Sequence, residues 1–134
     1  MRVLILDSSP MVWKRLLEML GDYPHVTSLA YARSLDEARR CLAVFQPYLL
    51  VLDVSLPDGN GLDLLKEVRA ARSRTKVAVF SNQGELAQLS LNQGADWFFD
   101  KSLEFPQLLE LLKDRTFWQE RDGAIQRSDC SVAS

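Results

Sequence analysis

Several short apolar runs in this chain each stop at a side chain able to take part in charge chemistry. Val3–Leu6 is followed by Asp7, Tyr48–Asp53 closes on Asp53, Lys76–Phe80 is followed by Ser81, and Asp96–Phe99 leads into Asp100 and Lys101. If the runs are strands of one sheet, their ends gather acids, a hydroxyl and an ammonium at one rim. Carboxylates brought side by side repel unless a cation neutralises them, which implies a hard, oxygen-liganded ion such as Mg²⁺. A carboxylate beside a divalent ion and a lysine is suited to attack on phosphorus. Metal and lysine hold the phosphoryl oxygens while charge redistributes. Strand alternation turns Asp100 away from the face that Lys101 uses, so it does not supply a further ligand.

The elements that must position these residues are legible in the spacing. A further apolar run, Val26–Tyr31, completes a set of strands separated by segments of helical period. Those segments are marked by Val12, Leu16 and Leu20, by Leu35, Ala38 and Leu42, and by Leu62, Leu65 and Val68. Leu86, Leu89 and Ala95 follow, then Leu108, Leu109 and Leu112. Ser34 with Glu37 has the spacing of a capping box, and Pro10 suits a first helical position behind Ser8 or Ser9. Gly21, Gly61 and Gly94 stand at helix ends or sharp turns. Strands apolar on both faces, alternating with helices, predict a parallel sheet covered on both sides. In such a sheet the ligand site lies beyond the carboxyl ends of the strands.

With these residues in register, residues 2 to about 113 resemble the receiver domain of two-component response regulators, the CheY-like fold. The segment "LLVLDVSLPDGNGLDLL" is similar to the family's phosphoacceptor strand and loop, with Asp53 as acceptor and Pro57 and Gly61 at the loop proline and glycine. "KVAVFSNQ" resembles the strand carrying the switch hydroxyl, here Ser81, and "GADWFFDKS" the strand with the lysine, here Lys101, and the aromatic switch position, here Phe98. The resemblance implies an α/β fold with a five-stranded parallel sheet in the order 2-1-3-4-5 and helices on both faces. It implies Mg²⁺ held by Asp7, Asp53 and the Ser55 backbone carbonyl, with Asn82, Gln83 and Ser55 on the rim that sets the lifetime of the acyl phosphate. A histidine kinase or phosphotransfer protein would supply the phosphoryl group. A downstream protein partner would read the face formed by the fourth helix, fifth strand and fifth helix.

Two positions depart from that pattern. The family ends its first strand on two adjacent acids, and here Ser8 replaces the second, so Ser8 contributes weakly or through water. A unit charge about 4 Å from another is worth roughly 4 kcal/mol at an effective dielectric near 20. With desolvation offsetting part of that, the loss weakens metal binding by on the order of a hundredfold. The family's proline after the lysine is Ser102, which argues against a cis peptide there.

The chain of 134 residues has a net charge of −2, with 47% hydrophobic and 25% charged residues. That composition fits one globular domain over residues 1–115, followed by a C-terminal extension over 116–134 that reads as a mobile tail. The expectation is a single-domain receiver, a cytoplasmic phosphoacceptor rather than an enzyme, monomeric or weakly dimeric, with no nucleic-acid or membrane partner. The basic cluster Arg69–Lys76 reads as a solvated helix end. Cys41 and Cys130 form no metal or disulfide pattern, His25 lies in a turn, and Trp13 packs at the edge of the first helix, where an exposed face would suit a partner. The competing reading is a pseudo-receiver, an interaction module indifferent to phosphate, motivated by Ser8. Flavin binding would need glycines after the first strand, and an aspartyl phosphohydrolase a second acid where Ser9 stands.

Overall fold

The computed structural model describes residues 2–20 and 28–113. His25, Gly21, Cys130 and the extension over 116–134 lie outside the described residues. The elements run β1 (Arg2–Leu6), α1 (Pro10–Leu20), β2 (Ser28–Ala32), α2 (Leu35–Val44) and β3 (Leu49–Leu52). A two-residue ribbon follows, β4 (Ser55–Leu56) and β5 (Gly59–Asn60), then α3 (Gly61–Ala70) and β6 (Lys76–Ser81). A 3₁₀ turn over Gly84–Leu86 leads into α4 (Ala87–Asn92), β7 (Trp97–Asp100) and α5 (Phe105–Lys113).

The main sheet is five-stranded in the order β2-β1-β3-β6-β7, with every neighbouring pair parallel. Leaving aside the short β4–β5 ribbon, this is the expected order 2-1-3-4-5. Consecutive side chains alternate between the two faces, and both faces are dry. Leu4, Leu6, Leu50, Leu52 and Val79 pack under α2 and α3. Val3, Ile5, Val51, Ala78 and Phe80 pack under α1 and α5. A strand buried on both sides must be apolar throughout, which is why β1 and β3 read as unbroken hydrophobic runs.

Strand limits differ from the sequence reading for identifiable reasons. β2 extends to Ala32, whose carbonyl accepts the Asp7 N–H at 3.1 Å. β7 begins at Trp97, because the Asp96 carboxylate is engaged at the sheet edge, accepting from the Val77 N–H at 2.9 Å. The apolar period assigned to the fourth helix also needs correction. Leu89 is 43% exposed, and the α4 residue turned inward is Ser90, fully buried with its hydroxyl donating to the Leu86 carbonyl at 2.7 Å.

Caps fall largely where the sequence places them. Pro10 opens α1, with Ser9 Oγ accepting from the Met11 N–H at 3.3 Å, so Ser9 rather than the exposed Ser8 caps this helix. Ser34 Oγ accepts from Glu37 N–H at 3.2 Å, but Glu37 closes its half of the box on the Arg33 N–H at 2.7 Å rather than on Ser34. Trp13 is no docking surface. It is 8% exposed and stacks on Tyr31 with ring centroids 5.5 Å apart. Arg69 is likewise not a solvated helix end. Its guanidinium donates to the carbonyls of Gly94 and Thr75 at 2.8 and 2.9 Å and to Asp96 at 2.8 Å, tying α3 to the entrances of β6 and β7.

Candidate functional site

Asp7 follows the last residue of β1, and Asp53 follows β3, its backbone N–H continuing the ladder to the Leu6 carbonyl at 2.9 Å. The two carboxylates therefore leave adjacent parallel strands at the same level. Both are buried, at 2% and 8% exposure. Lys101, one residue past β7, reaches across the rim, and its Nζ lies 2.6 Å from Asp7 Oδ2 and 3.0 Å from Asp53 Oδ2. The other oxygen of each acid is held by backbone. Asp7 Oδ1 accepts from the Ser9 N–H and Asp53 Oδ1 from the Val54 N–H, each at 2.8 Å. Both carboxylates are thus fixed in orientation by their own loops, and one ammonium joins them.

Burial pushes the Asp53 carboxyl above its ordinary value of 3.8, and the nearby Asp7 charge adds to the rise, against the opposing pull of Lys101. For Lys101, burial alone would lower its affinity for a proton, but hydrogen bonds to Asp7 and the charges of both acids outweigh it and hold the amine above 10.5. The lysine stays an ammonium, the only charge state that can hold two carboxylates together.

The remaining expected residues arrange themselves around this triad. Ser81, 1% exposed, ends β6 and accepts the Gln83 N–H at 3.0 Å. Gln83 donates from Nε2 to Ser55 Oγ at 3.0 Å, and Ser102 Oγ donates to Asn82 Oδ1 at 2.8 Å. The loops after β3, β6 and β7 are thereby tied to one another over the site. Phe98, half-buried and paired with Val79, points into the α2–α3 layer. Ser8 is exposed and Asp100 is turned away, its Oδ1 accepting from the Ser102 and Leu103 N–H groups at 2.8 and 3.1 Å. No peptide bond among the described residues is cis, so Ser102 follows Lys101 through an ordinary trans bond.

The donor chemistry suits Mg²⁺, which takes oxygen ligands and favours carboxylates. Asp7 and Asp53 are of the right kind. Among the described residues no group of three or more His, Cys, Asp or Glu side chains comes together. Two carboxylates side by side at the rim fit such an ion.

Sequence reasoning missed the parts that shape the loop after Asp53. Asp58 Oδ1 and Oδ2 accept the Leu35 and Asp36 N–H groups at 2.8 and 3.0 Å, so the loop after Asp53 caps α2 from a distance. "PDGNG" signals a turn, but a partner more than twenty residues upstream is not visible in it. Gly61 is obligatory for a different reason: a Cβ there would lie 2.0 Å from the Asp53 carbonyl oxygen. Its N–H donates to the Val54 carbonyl at 2.7 Å, bending the chain back beneath Asp53.

A five-stranded parallel sheet in this order, wound on both faces by helices and carrying an acid pair and a lysine at its carboxyl rim, is the architecture of a CheY-like domain. The chain belongs to the response regulator receiver domain family, whose profile matches residues 3–113. Receiver domains are in general phosphoacceptors that bind Mg²⁺, and they act as the receiving half of two-component systems. The chain is 28% identical over 112 residues to the nitrate/nitrite response regulator protein NarL of Escherichia coli K12, covering 82% of this chain and 52% of that protein. It is 26% identical over 112 residues to the transcriptional regulatory protein CitB of Klebsiella pneumoniae, covering 82% and 48%. The chain thus spans about half the length of these curated relatives. The BeF3-activated receiver domain of Klebsiella pneumoniae RstA superposes with a TM-score of 0.75 at 21% identity, covering 90% of this chain and 100% of that one, a likeness of fold. Among the described residues no helix is long and apolar enough to cross a membrane.

Proposed function

We propose that this receiver accepts a phosphoryl group on Asp53 from a histidine kinase or phosphotransfer protein. The observation that carries the reading is Lys101 Nζ within 3.0 Å of both Asp7 and Asp53 at the carboxyl rim of the sheet. Asp7, Asp53 and the Ser55 carbonyl would hold Mg²⁺, with Ser8 contributing weakly or through water. The ion supplies charge neutralisation for the phosphoryl oxygens. A carboxylate oxygen of Asp53 forms the new P–O bond as the P–N bond of a phosphohistidine breaks, and the departing imidazole nitrogen takes a proton. Lys101 then turns from the carboxylates to a phosphoryl oxygen, and the Ser81 hydroxyl, released from Gln83, donates to another. That exchange draws in the loop after β6, and Phe98 follows into the space that opens.

The resulting change is read by a protein partner on the α4–β7–α5 face, where Leu89 and Leu91 are already 43% and 42% exposed. The protein works in the cytoplasm as a monomer or weak dimer, without nucleic acid or membrane as a direct partner. The test is incubation with Mg²⁺ and acetyl phosphate followed by intact-mass measurement. Wild type gains one phosphoryl mass and Asp53→Asn gains none; an equal gain in both overturns the assignment.

The shortage of a third acid favours one alternative, an interaction module whose contacts ignore phosphate. Ser8→Asp separates the two. In a phosphate-responsive receiver it tightens Mg²⁺ binding by on the order of a hundredfold and speeds acetyl phosphate labelling. In a phosphate-indifferent module it tightens the metal while partner affinity stays the same with and without phosphodonor.

A further inference from the structure

At the pole opposite the phosphoacceptor rim, where the strands begin, α2, α3 and the loops entering β3 and β6 enclose an open groove of about 1200 Å³. Its apolar floor is formed by the half-buried Leu42 and Tyr48 over the buried Leu64, Val68 and Pro47, and its rim carries Arg2, Arg39, Arg69, Arg74 and Lys76. Only Glu67 and Asp96 oppose them, and both are already engaged. Glu67 takes a two-pronged contact from Arg39 at 3.0 and 2.7 Å, and Asp96 is held by Arg69 at 2.8 Å. Among the described residues Arg74 and Lys76 form no ion pair, and both are exposed. A surplus of positive charge is therefore concentrated here on a chain whose net charge is −2.

Size and shape narrow the occupant. Small-molecule pockets run to about 1,000 Å³ and enclose most of their ligand. This groove is larger and partly open to solvent, which suits a polypeptide. A flat lipid surface would meet the cationic rim without reaching the floor. A nucleic-acid backbone would satisfy the rim but leave the exposed parts of Leu42 and Tyr48 uncovered. We propose that the groove binds a segment of a partner protein that carries several carboxylates flanking an apolar or aromatic side chain, the apolar group on the floor and the carboxylates on Arg74 and Lys76. Such a contact fixes a partner on the receiver without blocking the acceptor rim or the α4–β7–α5 face.

The test uses the full chain and a fluorescein-labelled peptide of twelve residues, glutamates with a central Leu-Tyr-Leu, followed by anisotropy. Wild type is expected to bind it, more weakly by tenfold or more when salt rises from 50 to 200 mM. Arg74→Glu/Lys76→Glu is expected to lose at least tenfold in affinity while gaining phosphoryl mass from acetyl phosphate like wild type. Methyl NMR should place the largest shift at Leu42, the partly exposed methyl-bearing residue of the floor. Absence of peptide binding, equal affinity in the charge-reversed variant, or shifts confined elsewhere overturns the proposal. So does tighter binding by single-stranded RNA or phosphatidylserine vesicles than by the peptide. Because the variant spares Asp7, Asp53 and Lys101, failure here is distinguishable from failure of the phosphoacceptor reading.

Discussion

Lys101 is the residue on which the site depends electrostatically. Two carboxylates, each with one oxygen fixed by backbone, face a single ammonium, and removing one member of a buried ion cluster leaves charge without compensation. Lys101→Met should cost about 3 kcal/mol at pH 7 in metal-free buffer by analogy with broken buried pairs, measured by urea unfolding. Asp53→Asn should do the reverse. Since burial raises the Asp53 carboxyl above 3.8, the folded state binds that proton more tightly than the unfolded chain does. The stability this gives is present below pH 3.8 and is lost as pH rises through the folded value. Asp53→Asn is therefore more stable than wild type at neutral pH, and the two converge in acid. Lys101 has the same sign in another window, its contribution intact below pH 10.5 and lost as pH climbs through the higher folded value. A pH series of unfolding midpoints for the three proteins checks both statements.

At the scale of elements, the loop between β3 and α3 does the positioning. Its β4–β5 ribbon, the Asp58 cap on α2 and the close pass of Gly61 beneath Asp53 make it a folded unit with long-range anchors. Gly61→Ala would set a methyl 2.0 Å from the Asp53 carbonyl oxygen, so backbone has to move. The expected loss is about 3 kcal/mol, the upper part of the range for overpacking, together with slower acetyl phosphate labelling because the displaced atom belongs to Asp53, the proposed acceptor. A stability loss with an unchanged labelling rate would mean that the loop relaxes away from Asp53. The sequence marked this glycine as a turn residue. That it must be glycine for want of space rather than for backbone angle came only with the approach of two segments eight residues apart.

The whole molecule is a sheet with separate apolar layers on its two faces. Leu65 of α3 and Leu108 of α5 are both fully buried, one in each layer. Each change to Ala should cost about 3 kcal/mol, and because the sheet separates them the double variant should lose their sum to within about 0.5 kcal/mol. For a domain stable by 5–15 kcal/mol this leaves little margin, and a marked departure from additivity in urea unfolding would show that the layers are coupled through the sheet.

What the amino-acid sequence determined by itself was the part governed by period and by strand ends. Unbroken apolar runs require strands buried on both faces, and such strands alternating with amphipathic helices allow few parallel arrangements. Asp7, Asp53, Ser81 and Lys101 were visible because each closes such a run. The tertiary structure alone decided the distances. It set Lys101 between two acids rather than beside one, turned Leu89 outward and Ser90 inward, buried Trp13 against Tyr31, and gave Arg69 carbonyl partners on two neighbouring loops. Each of these depends on the approach of segments remote in sequence, where packing and desolvation choose among side chains that local pattern treats alike.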